Sequence, residues 1–288
     1  MSEKSYKSYK TPLRYPGGKS RAVKTLKLDF PEGFTEFRET FLGGGSVAIH
    51  IAKTYPDVDI WVNDKYYNLH NFWTQLRDRG EELHRALVNI KEPILGNPDE
   101  HKKLFVQMKS EINEQDDFTK AVYFYFLNKC SFSGLGESSS FSKMASKSNF
   151  SMRGINKLLY YSSLIKNWKI TNIDYAEVMN APSHKDCFVF LDPPYDIKDN
   201  LYGPQGKLHS GFDHMRFYEE VEKCPHNWMI TYNSNEVLRE RFGNYDQKEW
   251  DLTYTMRSVG SYNEDQSKRK ELLIANYNLS AEENHLTL

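Results

Sequence analysis

Apolar positions along this chain follow two rhythms. Short runs rich in β-branched and aromatic residues read as strands: FRETF (37–41), VDIWVN (58–63), KITNI (169–173), CFVFL (187–191), WMITY (228–232) and ELLIANY (271–277). Stretches with helical spacing follow the first two. One starts near Ser46, after Gly43-Gly44-Gly45, and another is YYNLHNFWTQLRD (66–78), after Asp64. Strand-then-helix alternation predicts the α/β class, with a doubly wound, mainly parallel sheet. Between 69 and 127 the rhythm is helical only, with a turn at Glu92–Pro98. From 128 to 152 the chain is Ser/Gly/Lys-rich and aperiodic. The simplest organisation is a discontinuous core, 1–68 and 160–288, carrying an inserted, mostly helical lobe at 69–159. No internal repeat is evident, and AEENHLTL (281–288) reads as a loose tail.

A length of 288 residues suffices for one large core, or one core with an attached lobe. Hydrophobic residues at 39 % and aromatics at 14 % are ordinary for a soluble globular chain. No apolar run approaches the length of a membrane span, and MSEKSYKSYK is polar rather than a signal peptide. Cys130, Cys187 and Cys224 form no CxxC pair and no zinc pattern with histidine. Reduced thiols, no metal site and a cytoplasmic location are therefore expected.

Net charge is −1, but its distribution is uneven. Residues 1–27 carry eight Lys/Arg (Lys4, Lys7, Lys10, Arg14, Lys19, Arg21, Lys24, Lys27) against Glu3 alone. Residues 129–169 carry seven (Lys129, Lys143, Lys147, Arg153, Lys157, Lys166, Lys169) against Glu137 alone. Two basic tracts in a neutral chain suggest one face for a polyanion, with a solvated surface as the alternative.

Three motifs carry chemistry. Phe41-Leu42-Gly43-Gly44-Gly45-Ser46 joins a strand to a helix, where glycines permit a tight turn and the close approach of a ligand. Asp64, ending the next strand, lies 21 positions after Gly43 and can accept from both ribose hydroxyls of an adenosine. A nicotinamide cofactor fits this pair as well as S-adenosylmethionine does. The second motif, Leu191-Asp192-Pro193-Pro194-Tyr195, follows a buried strand at its carboxyl end. Two prolines fix φ twice and stiffen the loop. An exocyclic amino group on a base is a poor nucleophile because its lone pair is delocalised. Accepting its hydrogens with the Asp192 carboxylate and the Pro193 carbonyl favours a pyramidal nitrogen, while Tyr195 can stack on the base. Such a base must leave the duplex to be reached. The third motif is Arg14-Tyr15-Pro16-Gly17-Gly18-Lys19-Ser20. A Walker-A reading fails because Leu13 stands where the first glycine belongs. It reads instead as a loop folded onto a cofactor, with Tyr15 against it and Lys19 near its carboxylate.

In this order, YPGGK, FLGGGS and LDPPY resemble the Dam-type DNA adenine methyltransferases, the D12 or α group of N6-adenine methylases. Asn63-Asp64, Phe126-Leu127-Asn128-Lys129 before Phe132, Ile173-Asp174-Tyr175, Met229-Ile230-Thr231-Tyr232-Asn233 and Glu271-Leu272-Leu273-Ile274 extend the likeness over nearly the whole chain. The resemblance implies a Rossmann-like methyltransferase sheet and transfer of a methyl group from S-adenosylmethionine to N6 of a flipped adenine in double-stranded DNA, with no obligatory protein partner. It implies that Tyr15, Gly18, Lys19, the Phe41–Ser46 loop (Phe41, Gly43, Gly45 and Ser46), Asp64 and Asp192 meet the cofactor. Asp192, Pro193 and Tyr195 would hold the adenine, and the insertion would become the target-recognition lobe. Lys10, Arg14, Lys129, Phe132, Ser133, Lys143 and Lys147 are the expected DNA contacts. Relatives that methylate GATC place a guanine-reading arginine where this chain has Glu137, which would instead accept from cytosine N4. A site other than GATC, or relaxed flanking preference, is expected. The rival readings are N4-cytosine methylation, a nicotinamide oxidoreductase and a catalytically silent DNA-binding module.

Overall fold

The structure, a computed structural model, describes residues 10–134, 136–194, 212–234, 236–251 and 270–280. Tyr195, Lys4, Lys7 and the 281–288 tail lie outside the described residues.

Among the described residues, seven strands form one sheet. In chain order they are β1 (Glu36–Glu39), β2 (Asp59–Asn63), β3 (Lys169–Thr171), β4 (Cys187–Leu191), β5 (Asn227–Asn233), β6 (Asp246–Asp251) and β7 (Lys270–Ala275). Their order in the sheet is β3-β2-β1-β4-β5-β7-β6. The first five run parallel, and β7 runs antiparallel to both β5 and β6. This is the doubly wound, mainly parallel sheet that the alternation predicts, and the fold class is that of a Rossmann-like methyltransferase. From β1 the chain moves outward to β2 and β3, then returns to place β4 on the other side of β1. A crevice therefore opens beyond the carboxyl ends of β1 and β4, where doubly wound sheets hold ligands.

β4 shows why the prediction of its bounds succeeds. All five residues are buried, Phe188 and Phe190 in one apolar cluster, Cys187, Val189 and Leu191 in the other. A strand covered on both faces reads as an unbroken apolar run. β6 was not anticipated. Its sequence DQKEWD is largely polar, and it pairs only with β7 at the edge of the sheet. Edge strands carry charge that masks their pattern.

Between β2 and β3 the chain is helical: α3 (Tyr67–Asp78), α4 (Gly80–Lys91), α5 (Pro98–Glu111), α6 (Asp117–Cys130), α7 (Lys143–Ser148) and α8 (Met152–Leu164). Asp116 caps α6, accepting from the Phe118 and Thr119 amides. From Phe124 to Cys130 every residue of α6 is buried, the signature of a helix enclosed by its neighbours. Phe72, Trp73, Phe126 and Leu158 of these helices belong to the same cluster as Phe37, Phe188 and Phe190 of the sheet. The inserted helices thus share one continuous core with a face of the sheet.

Candidate active site

A cavity of about 330 Å³ lies at the crevice, walled by all three motifs. Gly43 (φ 49°) and Gly45 (φ 69°) of the glycine loop take left-handed conformations that other residues adopt only with strain. Close approach also demands glycine here. A Cβ on Gly43 would stand 2.9 Å from the Tyr15 ring, and one on Gly45 2.9 Å from Trp73. Trp73 Nε1 also donates to the Gly43 carbonyl at 3.2 Å. The Tyr15 loop is thereby laid against the glycine loop. Gly45 precedes α2 (Ser46–Thr54), and Ser46 Oγ lies 2.9 Å from Ser20 Oγ.

Asp64 faces the glycine loop. One carboxylate oxygen accepts from the Gly43 amide at 2.8 Å and the other from the Tyr66 amide at 2.9 Å. Burial pushes its carboxyl up to about 6, although both amides oppose the shift. Each oxygen keeps a second lone pair, so the group can still accept two hydroxyls. On the other side of the cavity Phe41, Tyr175 and Phe212 form an aromatic wall, with ring centroids 5.3 and 5.7 Å from Phe41.

The Asp-Pro-Pro turn leaves β4 into the same cavity. Lys19, 3 % exposed, places its ammonium 3.0 Å from Asp192 and 3.4 Å from the buried Glu271 on β7. Thr231 on β5 donates to Asp192 at 2.9 Å, and the Tyr232 hydroxyl donates to the Pro194 carbonyl at 3.3 Å. Pro193 is buried. Burial raises the Asp192 pKa, Lys19 pulls it down and Glu271 pushes it up. Glu39, buried at the end of β1, is raised well above the carboxylate range by burial and by Asp192 and Asp64, and it accepts from the Ala48 amide at 2.9 Å.

Sequence reasoning assigned no role to Glu39, Tyr175, Phe212, Thr231, Tyr232 or Glu271. An acid inside the buried FRET run was the available signal for Glu39. Phe212 carries no motif. Gly18 is exposed at the turn of the Tyr15 loop, its amide donating to the Tyr15 carbonyl at 3.1 Å.

The residues expected to meet DNA divide into two groups. Lys10, Phe132, Lys143 and Lys147 are exposed, Phe132 by 55 %. Phe132 lies at the start of a short hairpin closed by an antiparallel bridge between Ser131 and Phe141, beside Ser133 with its positive φ of 53°. The other group faces inward. Lys129, expected on the surface, is 8 % exposed with its ammonium 5.2 Å from the Tyr125 ring, and burial pushes its pKa down to about 7. Arg14 donates from Nη1 to the Ser131 carbonyl at 2.9 Å. Glu137 accepts from the Tyr66 hydroxyl at 2.7 Å and from Asn68 at 2.9 Å.

The sheet and the three converging loops define a methyltransferase of the doubly wound class. The chain belongs to the D12 class N6 adenine-specific DNA methyltransferase family, matched over residues 15–256. Curated relatives agree. It is 24 % identical over 246 residues to the type II methyltransferase M.MjaIII of Methanocaldococcus jannaschii, covering 77 % of this chain and 84 % of that protein. It is 22 % identical to M1.LlaDCHI of Lactococcus lactis subsp. cremoris, over 92 % of this chain and 94 % of the relative. The type II methyltransferase M.CviBI of Paramecium bursaria Chlorella virus NC1A is also 22 % identical, over 92 % and 98 %. The chain is a DNA-methylating enzyme that uses a methyl donor, and the oxidoreductase and silent-module readings fall away. Among the described residues no helix is long and apolar enough to cross a membrane.

Proposed function

We propose that this enzyme transfers a methyl group from S-adenosylmethionine to N6 of an adenine swung out of duplex DNA. The observation that carries the reading is the meeting of the glycine loop, Asp64 and the Asp192 turn around one cavity at the sheet's switch point. The residues present fit this cofactor. Asp64 offers two acceptor sites for ribose hydroxyls, the aromatic wall of Phe41, Tyr175 and Phe212 suits a planar base, and the left-handed glycines let the backbone come close. When bound, S-adenosylmethionine supplies an electrophilic methyl group on a sulfonium.

The protein's task is to make the amino nitrogen nucleophilic and hold it in line. Asp192 accepts one amino hydrogen and the Pro193 carbonyl the other, so the lone pair localises. Lys19 favours the ionised, accepting form of Asp192, and Thr231 fixes its orientation. Tyr195 stacks on the base. Lys19 acts toward the cofactor through Asp192 and Glu271. The lobe at 69–159 recognises the target: Phe132 enters the gap left by the base, and Lys10, Lys143 and Lys147 meet phosphates. Arg14 holds the hairpin through the Ser131 carbonyl, and Lys129 packs over Tyr125 within α6.

Incubating the protein with radiolabelled S-adenosylmethionine and mixed-sequence DNA tests the reading. Label should enter DNA with wild type and not with Asp192→Ala, whose DNA binding persists because phosphate contacts supply most of the affinity. Normal turnover by Asp192→Ala would refute the mechanism.

A further inference from the structure

The hairpin that carries Phe132 is fastened at two points to segments that adjoin the cavity. Near the end of α6, just before the hairpin, the Asn128 side-chain nitrogen donates to the Arg14 carbonyl at 2.7 Å and to the Gly134 carbonyl of the hairpin at 2.9 Å. Its oxygen accepts from the Arg14 amide at 3.0 Å. Arg14 directly precedes Tyr15, whose ring lies against Gly43. In the loop of the hairpin, Glu137 Oε1 accepts from both the Tyr66 hydroxyl and Asn68. The amide of that same Tyr66 donates to Asp64, whose other oxygen holds the Gly43 amide. Three hydrogen bonds therefore lead from the glycine loop to the hairpin: Gly43 to Asp64, Tyr66 to Asp64, and Tyr66 to Glu137. The Tyr66 ring is seated against Phe124 with centroids 5.9 Å apart, so its hydroxyl has a defined direction. Burial and the Glu137 carboxylate raise the phenol's pKa, which keeps it a donor.

We propose that Glu137 is a positioning residue which, with Tyr66, couples the filling of the cavity to the grip of the hairpin on DNA. The inference rests on the functional reading above. A ligand whose hydroxyls bond Asp64 adds restraint to the 64–66 segment and so to the phenol that holds Glu137. A hairpin already ordered loses less entropy when it meets DNA. Linkage makes the effect reciprocal, so DNA must tighten the cofactor site by the same factor. Glu137 then stands in the place of a base-reading arginine with one carboxylate oxygen committed to two bonds within the protein.

The test is calorimetric titration with S-adenosylhomocysteine, alone and with a duplex carrying the mapped site. In wild type the duplex should tighten binding by at least about fivefold, within the usual range of such couplings. Tyr66→Phe and Glu137→Ala should each reduce that factor below about twofold, and combining them should add nothing further, as for one shared interaction. Glu137→Gln should retain the wild-type factor, because an amide oxygen still accepts both donors. Tyr66→Phe keeps the backbone amide on Asp64, so affinity without DNA should stay within about twofold of wild type. Coupling unchanged in Tyr66→Phe would overturn the proposal, and that arm decides even if Glu137→Ala fails to fold. So would a change of recognition at one base pair in Glu137→Ala that Tyr66→Phe does not share, the mark of direct readout. A wild-type protein that binds S-adenosylhomocysteine but shows no coupling overturns this inference alone. One that binds none and methylates nothing overturns the functional reading with it.

Discussion

The role proposed for Asp192 needs its ionised form, which the Lys19 ammonium favours against the burial that raises its pKa. Burial raises the Asp192 pKa, so methyl transfer should be present above that pKa and lost as pH falls through it. Lys19→Met removes the opposing charge and lets the pKa climb further. The acid limb of the kcat/KM profile should then move to higher pH, while Lys19→Arg should leave it close to wild type. An unmoved limb in Lys19→Met would show that another group sets it. Asp64 makes a separate prediction. Its carboxyl is pushed up to about 6, and ribose hydroxyls donate to the ionised form. Cofactor affinity should therefore weaken as pH falls through about 6, which titrations from pH 5 to 8 would register. Asp64→Ala should abolish that dependence and weaken binding by about 1.5–3 kcal/mol, the value of hydrogen bonds to a charged group. At this scale the sequence revealed the residues of the motifs but not their partners. Thr231, Tyr232 and Glu271 stood in recognised strings without a role, because only the sheet order brings β5 and β7 alongside Asp192. Lys129 looked like a surface cation because a basic run gives no sign of which side chain turns inward.

Strand ends, rather than strand middles, build this site. The glycine loop follows β1 and is stiffened by two left-handed residues and two overlying rings. Gly45→Ala should cost about 1–3 kcal/mol, the price of a strained backbone conformation, with the clash against Trp73 on top. Gly33 shares a positive φ of 74° but has open space around it. Gly33→Ala should thus cost less, and chemical denaturation of the pair would separate strain from clash. Equal losses would mean that Trp73 yields without cost. Elements were legible where burial imposed a period. β4 was bounded correctly by its apolar run, and YYNLHNFWTQLRD lies within one residue of α3. β1 and β3 stop two residues earlier than expected, because Thr40-Phe41 already line the cavity and Asn172-Ile173 lead into Asp174 and Tyr175, which do. The segment 128–152 reads as aperiodic, yet it holds the end of α6 and the short helix α7, whose Ser- and Lys-rich sequence KMASKS shows no apolar period. Between them the chain is ordered by side-chain bonds of Asn128, Ser131 and Glu137.

Over the whole molecule, the cations of the two basic tracts divide into exposed and buried sets. Lys10, Arg21, Lys24 and Lys27 of the first basic tract are exposed, as are Lys143, Lys147, Arg153, Lys157, Lys166 and Lys169 of the second. Lys19, Arg14 and Lys129 turn inward, Lys19 to Asp192 in the cavity, Arg14 to the hairpin and Lys129 to Tyr125 of its own helix. A neutral chain can thus expose basic patches, the surface proposed to meet DNA, while burying other cations. With Glu137 held by Tyr66 and Asn68, no arginine takes the guanine-reading place, and the methylated site should differ from GATC or tolerate varied flanks. Sequencing that detects modified bases, applied to DNA treated with the purified protein, would map the site, and strict GATC modification would contradict this expectation. The central claim is that the Asp192 turn activates an adenine amino group. Its most direct test is nucleoside analysis by mass spectrometry of DNA methylated in vitro by wild type and by Asp192→Ala. N6-methyladenine as the product of wild type, and its absence with Asp192→Ala, is the predicted result; N4-methylcytosine from wild type, or undiminished N6-methyladenine from Asp192→Ala, would contradict it.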